Sequence, residues 1–380
     1  MVIGLLEANE KCYGSLRYFL DCVEKALNKR RISTYRILLD GTSKEELERH
    51  YDALIMFNSS FPSVQKEDGS FLLDFFQCPV FNIFVDPPYY HHSVLKNHMQ
   101  NLHVVFLDEG HVEYCNRYYP PCKSVDRGFL IGPTGKTIPY EDRKIELLFT
   151  GSCPDEEIML QKAHELFGAE WADNMLELII SNSIRYPHIP MEAQMKTIFE
   201  QSMKGYSEQA YTTLMYTLGQ YAEFYLRGYY RKRIIRLLVN SGIKLHVAGA
   251  GWEKLYTVLP DNLIIEGEMD IWKTADLTAN SKILLNIMPW FKEGIHDRIL
   301  TAMHNETICL TDTSTICQRD FQNNQNIVFY DLDRLDALPD LIRELLNDEE
   351  KGKFIAKQGK IESDKYTWDL FVDRYILSKL

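Results

Sequence analysis

Two doubly wound α/β domains facing a cleft, the second with a helical insertion, are what this 380-residue sequence predicts. Three observations carry that expectation. Short, near-continuous apolar runs alternate with stretches of helix length, the pattern of parallel strands covered on both faces. A Gly/Pro-rich stretch, GFLIGPTGKTIPYED at 128–142, interrupts the alternation like a domain boundary. Beyond a long helical segment, the alternation then resumes.

In the first part, Val2 to Leu6 reads as a strand, Glu10 to Gly14 as a loop and Ser15 to Asn28 as an amphipathic helix. Thr34 to Leu39 is a second strand. Ser43 to His50 opens a charged helix with a capping signature, Ser43 followed by Glu46. Ala53 to Phe57, Val80 to Val85 and His103 to Leu107 supply three more strands. The predicted first domain is 1–142. The second, 143–365, starts with the strand Ile145 to Thr150 and contains a helical insertion over 155–240. Strands follow at Lys244 to Ala248, Asn262 to Glu266, Ile283 to Ile287, Thr307 to Leu310 and Ile327 to Tyr330. Polar-faced helices span Leu338 to Leu346 and Lys351 to Ser363. Residues 366–380 are expected as a helix packing back on the first domain.

Composition narrows the function. A formal net charge of −12 argues against a general nucleic-acid binder, which needs a basic face to displace phosphate counterions. It leaves room for a local basic pocket. One basic run, RGYYRKRIIR at 227–236, reads most simply as a solvated helix face. Eight cysteines show no CxxC pair and no zinc-type spacing, which fits a reducing compartment. The N-terminus lacks a basic region followed by an apolar core, and the most apolar window, Phe71 to Val85, is broken by Asp74, Gln77, Pro79 and Asn82. The expected setting is the cytoplasm, with peripheral membrane contact left open.

Ligands of doubly wound sheets sit at the carboxyl ends of the strands. In the second domain the chain from Asn286 to Asp312 carries the densest chemistry. A strand ends, a Pro-containing loop leads to Glu293 and Gly294, and a helix is expected from about His296 to His304. Gly294 would let backbone approach a ligand, while Ile295, His296 and Asp297 would present helix-start amides to an anion. Arg298 could add a bidentate contact. In the first domain the corresponding candidates are Tyr13 and Gly14 after the first strand and Asp86 with His91 after the fourth. Asp86 and His91 are the candidate catalytic or acceptor-positioning groups. Adjacent His91 and His92 should not both face a ligand. A metal site from Asp86, His91 and His98 is a rival reading, although its spacing matches no common motif.

Asn286-Ile287-Met288-Pro289, Gly294, Arg298 and Thr311-Asp312 together resemble the donor site of GT-B glycosyltransferases. More narrowly they resemble bacterial group 1 glycosyltransferases related to the spore-maturation CgeB-like proteins. The helical run ending at Arg236, the HVAGAGW motif at 246–252 and the C-terminal tail are similar to that group as well. The resemblance covers roughly 147–380.

The resemblance implies two Rossmann-like domains binding a nucleoside-diphosphate sugar, with no obligatory cofactor or metal and with retention of configuration as its mechanistic corollary. The base and ribose would lie near Gly249, Gly251, Trp252 and Glu268, Gly151 would belong to the same donor site, and Arg143 or Lys144 would supply charge at the hinge. Glu293 matches the first of two glutamates separated by seven intervening residues in the wider group. Thr301 stands where the second, ribose-binding glutamate is expected. That departure keeps open a nucleotide-binding scaffold with weak or no turnover. A nicotinamide-dependent Rossmann enzyme is disfavoured, because Gly249-Ala250-Gly251 lacks the third glycine of the dinucleotide fingerprint.

Overall fold

The computed structural model describes residues 1–7, 12–38, 49–97, 99–202, 205 and 207–380. The helix expected from Ser43, residues Ala8 to Lys11 and His98 of the rival metal reading lie outside them. The chain forms two compact units, Met1–Gly132 with Tyr366–Leu380, and Pro133–Lys365.

The first unit is built on six parallel strands: β1 (Val2–Glu7), β2 (Ser33–Leu38), β3 (Ala53–Phe57), β4 (Val80–Ile83), β5 (Leu102–Phe106) and β6 (Ser124–Arg127), in the order β2-β1-β3-β4-β5-β6. Helices α1 (Ser15–Lys29), α2 (His92–Leu95) and α3 (Glu109–Tyr118) connect them. β3 is buried along its whole length, as its unbroken apolar run requires. The polar exception in the centre is Asn82 on β4, which is fully buried. It accepts from the Ser59 amide and donates to the Ser59 carbonyl, so both of its polar atoms have a partner in the interior. β6 is the one strand sequence reasoning missed. Its SVDR sequence is half-exposed at the sheet edge, so it carries no apolar run to read.

The second unit also has six parallel strands: β7 (Ile145–Thr150), β8 (Leu245–Ala248), β9 (Leu263–Gly267), β10 (Ser281–Asn286), β11 (Ile308–Asp312) and β12 (Val328–Tyr330), in the order β12-β11-β10-β7-β8-β9. Between β7 and β8 the chain runs through α4 (Glu156–Phe167), α5 (Ala169–Arg185), α6 (Met191–Ser202), α7 (Glu208–Leu214) and α8 (Gln220–Asn240). The rest of the unit adds α9 (Ile271–Ala279), α10 (Asp297–His304), α11 (Thr315–Asp320), α12 (Leu338–Asn347) and α13 (Glu349–Ser363). The two Rossmann-like sheets expected from the sequence are therefore present.

The unit boundary falls at Gly132/Pro133, ahead of the position 142/143 expected from composition. The reason is Asn305, whose side chain accepts from the Gly135 amide and donates to the Pro133 carbonyl, binding this segment to the second unit. The chain then returns to the first unit as α14 (Trp368–Tyr375). There Arg30 at the end of α1 makes ion pairs to Asp369 at 2.7 Å and Asp373 at 2.6 Å, and Phe371 is fully buried against Phe129.

Candidate functional site

In the second sheet the strand order reverses between β7 and β10. The crevice outside their carboxyl ends is where such a sheet takes a ligand. The end of β7 runs into Gly151 and Ser152, and the end of β8 into Gly249 to Trp252. These glycines have a packing cause. A Cβ on Gly249 would lie 2.6 Å from the Gly151 carbonyl, and one on Gly251 would lie 2.4 Å from the Cys153 carbonyl oxygen. Both have positive φ, 137° and 87°. Only residues without a side chain let the two loops interlock, through Gly151 N–H to Ala248 O and Cys153 N–H to Ala250 O, each 2.7 Å.

Beyond β10 the chain is held by buried polar groups. Asn286 donates from Nδ2 to Thr311 Oγ1 at 3.0 Å, accepts from an Arg298 guanidinium N–H at 3.2 Å, and its carbonyl accepts from the Tyr330 hydroxyl. Asp312, at the end of β11, accepts from the Met288 amide at 2.7 Å and from Lys292 Nζ at 2.5 Å. Ser314 donates to the Gly294 carbonyl at 2.7 Å. The loop carrying Glu293 is thus fixed at both ends, and Glu293 itself is half-buried.

α10 starts at Asp297, with His296 as its N-cap. His296 Nδ1 lies 3.2 Å from the Arg298 amide and 2.6 Å from Asp297 Oδ1. It can serve one of them at a time: its lone pair accepts the amide in one tautomer, and in the other its proton goes to Asp297. Burial, then the Arg298 charge, pushes the imidazole pKa down. Burial raises the Asp297 carboxyl, but His296 and Arg298 outweigh it and hold it below the ordinary value. The helix start therefore brings its own cap and its own anion. Ile295 is fully buried and offers only backbone.

A cluster of positive charge lies beside the helix start. α8 carries Arg227 and Arg231 four residues apart, hence on one face. Arg227 sits 4.3 Å and Arg231 5.6 Å from the centre of the Trp290 ring. Arg231 is also 5.6 Å, and Arg298 6.0 Å, from the centre of Phe149 on β7. The three guanidinium groups thus gather at the switch point. Gly151 lets Arg231 approach, since a Cβ there would lie 3.3 Å from its guanidinium carbon. Arg227 is paired with the buried Glu223 at 2.8 Å. Arg231 is buried, donates to the Ser152 carbonyl at 2.7 Å, and its Nε has no hydrogen-bond acceptor among the described residues. Burial first, then the Arg298 and Arg227 charges, drives its pKa well down. Arg298 is lowered too, by burial, with Asp297 opposing and Arg227 adding to the effect. Such a cluster gains from an added anion.

The sequence singled out Arg298 but took 227–236 for a solvated helix face. The structure buries Arg231 in the cluster, a correction with a physical cause: α8 lies under the β7 loop, close enough that a Cβ on Gly228 would be 3.2 Å from the Pro154 carbonyl oxygen. The usable signal was the i, i+4 spacing of Arg227 and Arg231 within a helix also rich in apolar residues.

Two further expectations need correction. Arg143 lies at the opposite end of the sheet. It is buried, and its guanidinium donates to the carbonyls of Ser281, Asn305 and Glu306 around the amino ends of β10 and β11. Trp252 is fully buried, with its indole N–H on the Gly151 carbonyl at 2.8 Å, so it braces the loop rather than presenting a face to a base. The Thr301 hydroxyl donates to the Asp297 carbonyl at 2.8 Å within α10. Glu268, by contrast, is exposed just past β9.

The remaining candidates belong to the first unit. There the order reverses between β1 and β3. Tyr13 (φ 58°) and Gly14 (φ 81°) form a left-handed pair ahead of α1. A non-glycine residue in that conformation is uncommon. Asp86 follows β4 and accepts from Asn58 Nδ2 at 2.8 Å; Asn58 follows β3 and also has positive φ, 46°. His91 stacks on Phe84, ring centres 3.9 Å apart, and its Nε2 is buried without a hydrogen-bond partner among the described residues. Burial lowers its pKa to about 4, with Asp86 opposing and His111 adding to the fall. His91 is neutral at neutral pH. Among the described residues no group of three or more His, Cys, Asp or Glu is placed to hold a metal ion, and no helix is long and apolar enough to cross a membrane.

Residues 231–375 match the glycosyl transferase-like family model. No curated protein is significantly similar to the chain. Solved structures share the fold. A complex of Anabaena Alr3699/HepE with UDP-glucose superposes with a TM-score of 0.56 at 10% identity, covering 100% of both chains. An alpha-glucosyltransferase in complex with UDP and a 13-mer DNA containing a HMU base gives 0.53 at 9%, covering 100% of this chain and 99% of that one. The sucrose-phosphate synthase of Thermosynechococcus elongatus gives 0.50 at 10%, covering 99% and 98%.

Proposed function

We propose that the chain is a GT-B glycosyltransferase that moves a sugar from a nucleoside-diphosphate donor to a hydroxyl acceptor. The observation that carries this reading is the convergence of Arg227, Arg231 and Arg298 at the switch point of the second sheet. Two of the three fall inside the span matching a glycosyl transferase-like family, and relatives in fold have been solved with UDP or UDP-glucose bound.

The chemistry follows from the charges. When an acceptor hydroxyl attacks the anomeric carbon, the bond to the diphosphate breaks and negative charge grows on the leaving group. Fixed guanidinium groups in a partly desolvated site stabilise that charge and need little reorganisation. Arg231 contributes most, because its Nε lacks an acceptor until an anion arrives. In this reading Gly249 and Gly251 shape the backbone beneath the nucleotide, and exposed Glu268 meets ribose hydroxyls. Glu293, on a loop clamped by Asp312 and Ser314, is the sugar contact. In the first unit Asp86 positions the acceptor, while neutral His91 can take a proton only if its stacked ring becomes accessible. Retention of configuration and metal independence belong to the same reading.

Thr301 favours a second reading, a nucleotide-binding protein without turnover. Its hydroxyl is tied to the Asp297 carbonyl, so it is a weaker ribose partner than a carboxylate. Calorimetric titration with UDP and GDP, paired with a hydrolysis assay on a nucleotide-sugar panel, separates the two. Binding with slow sugar release supports the transferase. Binding without release or transfer supports the second reading. If neither nucleotide binds, both are wrong.

A further inference from the structure

A hollow of about 490 Å³ opens at the carboxyl ends of β11 and β12, between the Thr313–Thr315 turn, the Asp331–Arg334 turn and the α5–α6 corner at His188. It shares no lining residue with the arginine cluster. Its volume is inside the range of small-molecule sites, roughly 300–1,000 Å³. We infer that it is a binding subsite for a neutral carbohydrate.

The lining decides the class. Asp331 and Asp333 supply carboxylate acceptors, and Gln318 and Arg334 supply planar donors. That mixture suits vicinal hydroxyls, each of which donates one hydrogen bond and accepts another. A phosphate is disfavoured. The one buried cation in the lining, Lys292, already faces Asp312 at 2.5 Å, so the exposed charges are Arg334 against Asp331 and Asp333, a net negative lining that repels an anion. A nucleobase is disfavoured as well, since the lining has no Phe, Tyr or Trp to stack on. The site is also built rather than incidental. Its floor is Lys292, 4% exposed, and Ser314, 3% exposed. The Arg334 amide donates to the Asp331 carbonyl at 3.1 Å, closing the turn that carries both aspartates.

This subsite stands independently of the nucleotide reading, because its test needs no nucleotide. Saturation-transfer NMR on the full chain with glucose, galactose and maltose is expected to give transfer from at least one sugar. Asp331→Asn combined with Asp333→Asn should weaken that sugar about ten-fold or more. Both positions are exposed, so thermal unfolding should not change. No transfer from any of the three sugars, or equal affinity in the double variant, overturns the inference.

Discussion

The Arg231 guanidinium donates to the Ser152 carbonyl at 2.7 Å, and this bond fixes a buried positive charge of α8 against the end of β7. The same group feels Arg227 and Arg298, and its Nε stays without an acceptor. A cation placed this way is poorly solvated for folding and well placed for binding.

Replacing Arg231 with Leu is therefore expected to split stability from affinity. Leu removes a buried cation that is crowded by Arg298 and Arg227, so the relief of desolvation and like-charge repulsion offsets the lost hydrogen bond to Ser152. Loss of a hydrogen bond to a charged ligand costs about 1.5–3 kcal/mol, roughly ten- to hundred-fold in affinity. Calorimetry with UDP should show that loss, while urea unfolding without nucleotide shows no decrease in stability. Unchanged UDP affinity would remove the arginine cluster from the donor site.

Gly249→Ala should act on the architecture instead. The added Cβ would meet the Gly151 carbonyl at 2.6 Å in a backbone conformation, φ 137°, that L residues rarely adopt. Backbone strain of that kind costs about 1–3 kcal/mol before any clash is relieved. Chemical denaturation should report a loss of at least about 2 kcal/mol. A variant as stable as the parent would mean that the β7 and β8 loops are not interlocked as described.

The sheets were legible because buried parallel strands write themselves as apolar runs. β3 and β7 match their expected limits, Ala53–Phe57 and Ile145–Thr150, residue for residue. β6 was illegible for the opposite reason: SVDR lies half-exposed at an edge and needs no hydrophobic pattern. In the candidate site, only contacts between sequence neighbours can be read from the sequence. Gly294, His296 and Arg298 stand together because they are neighbours in sequence. Arg231 and Arg143 depend on which elements meet in space. A basic run on a helix reads as solvated until a β7 loop is known to cover it. An arginine next to a predicted strand start gives no hint that its guanidinium folds onto three carbonyls at the amino end of the sheet.

Lys292 and Asp312 offer a test of the clamp behind Glu293. Both are almost fully buried, with 3% and 1% of their side chains exposed. Lys292→Met leaves a buried carboxylate facing only the Met288 amide, and removal of one partner from a buried pair costs about 3–5 kcal/mol. The double variant Lys292→Met, Asp312→Asn removes both charges, keeps an acceptor for that amide, and should recover much of the loss. Urea unfolding of the two single variants and the double one measures the coupling. Strict additivity would show that the pair does not hold the loop.

His91 gives the protein a stability slope with pH of known sign. Its folded-state pKa is about 4 against an ordinary 6.5, mainly through burial, with Asp86 opposing and His111 reinforcing the shift. Between those values the unfolded chain binds a proton that the native ring refuses. Stability contributed by the neutral ring is complete above about pH 6.5 and falls as the pH drops towards 4. A shift of that size corresponds to on the order of 3 kcal/mol. His92, His103 and His296 shift in the same direction, so the parent protein's slope is a sum over several rings. Comparison with His91→Gln isolates one of them. The variant should be less stable than the parent at pH 7, where the stack on Phe84 is lost, and the gap should narrow by pH 5. A gap that stays constant over that interval would mean that the His91 ring is solvated and titrates as it does in the unfolded chain.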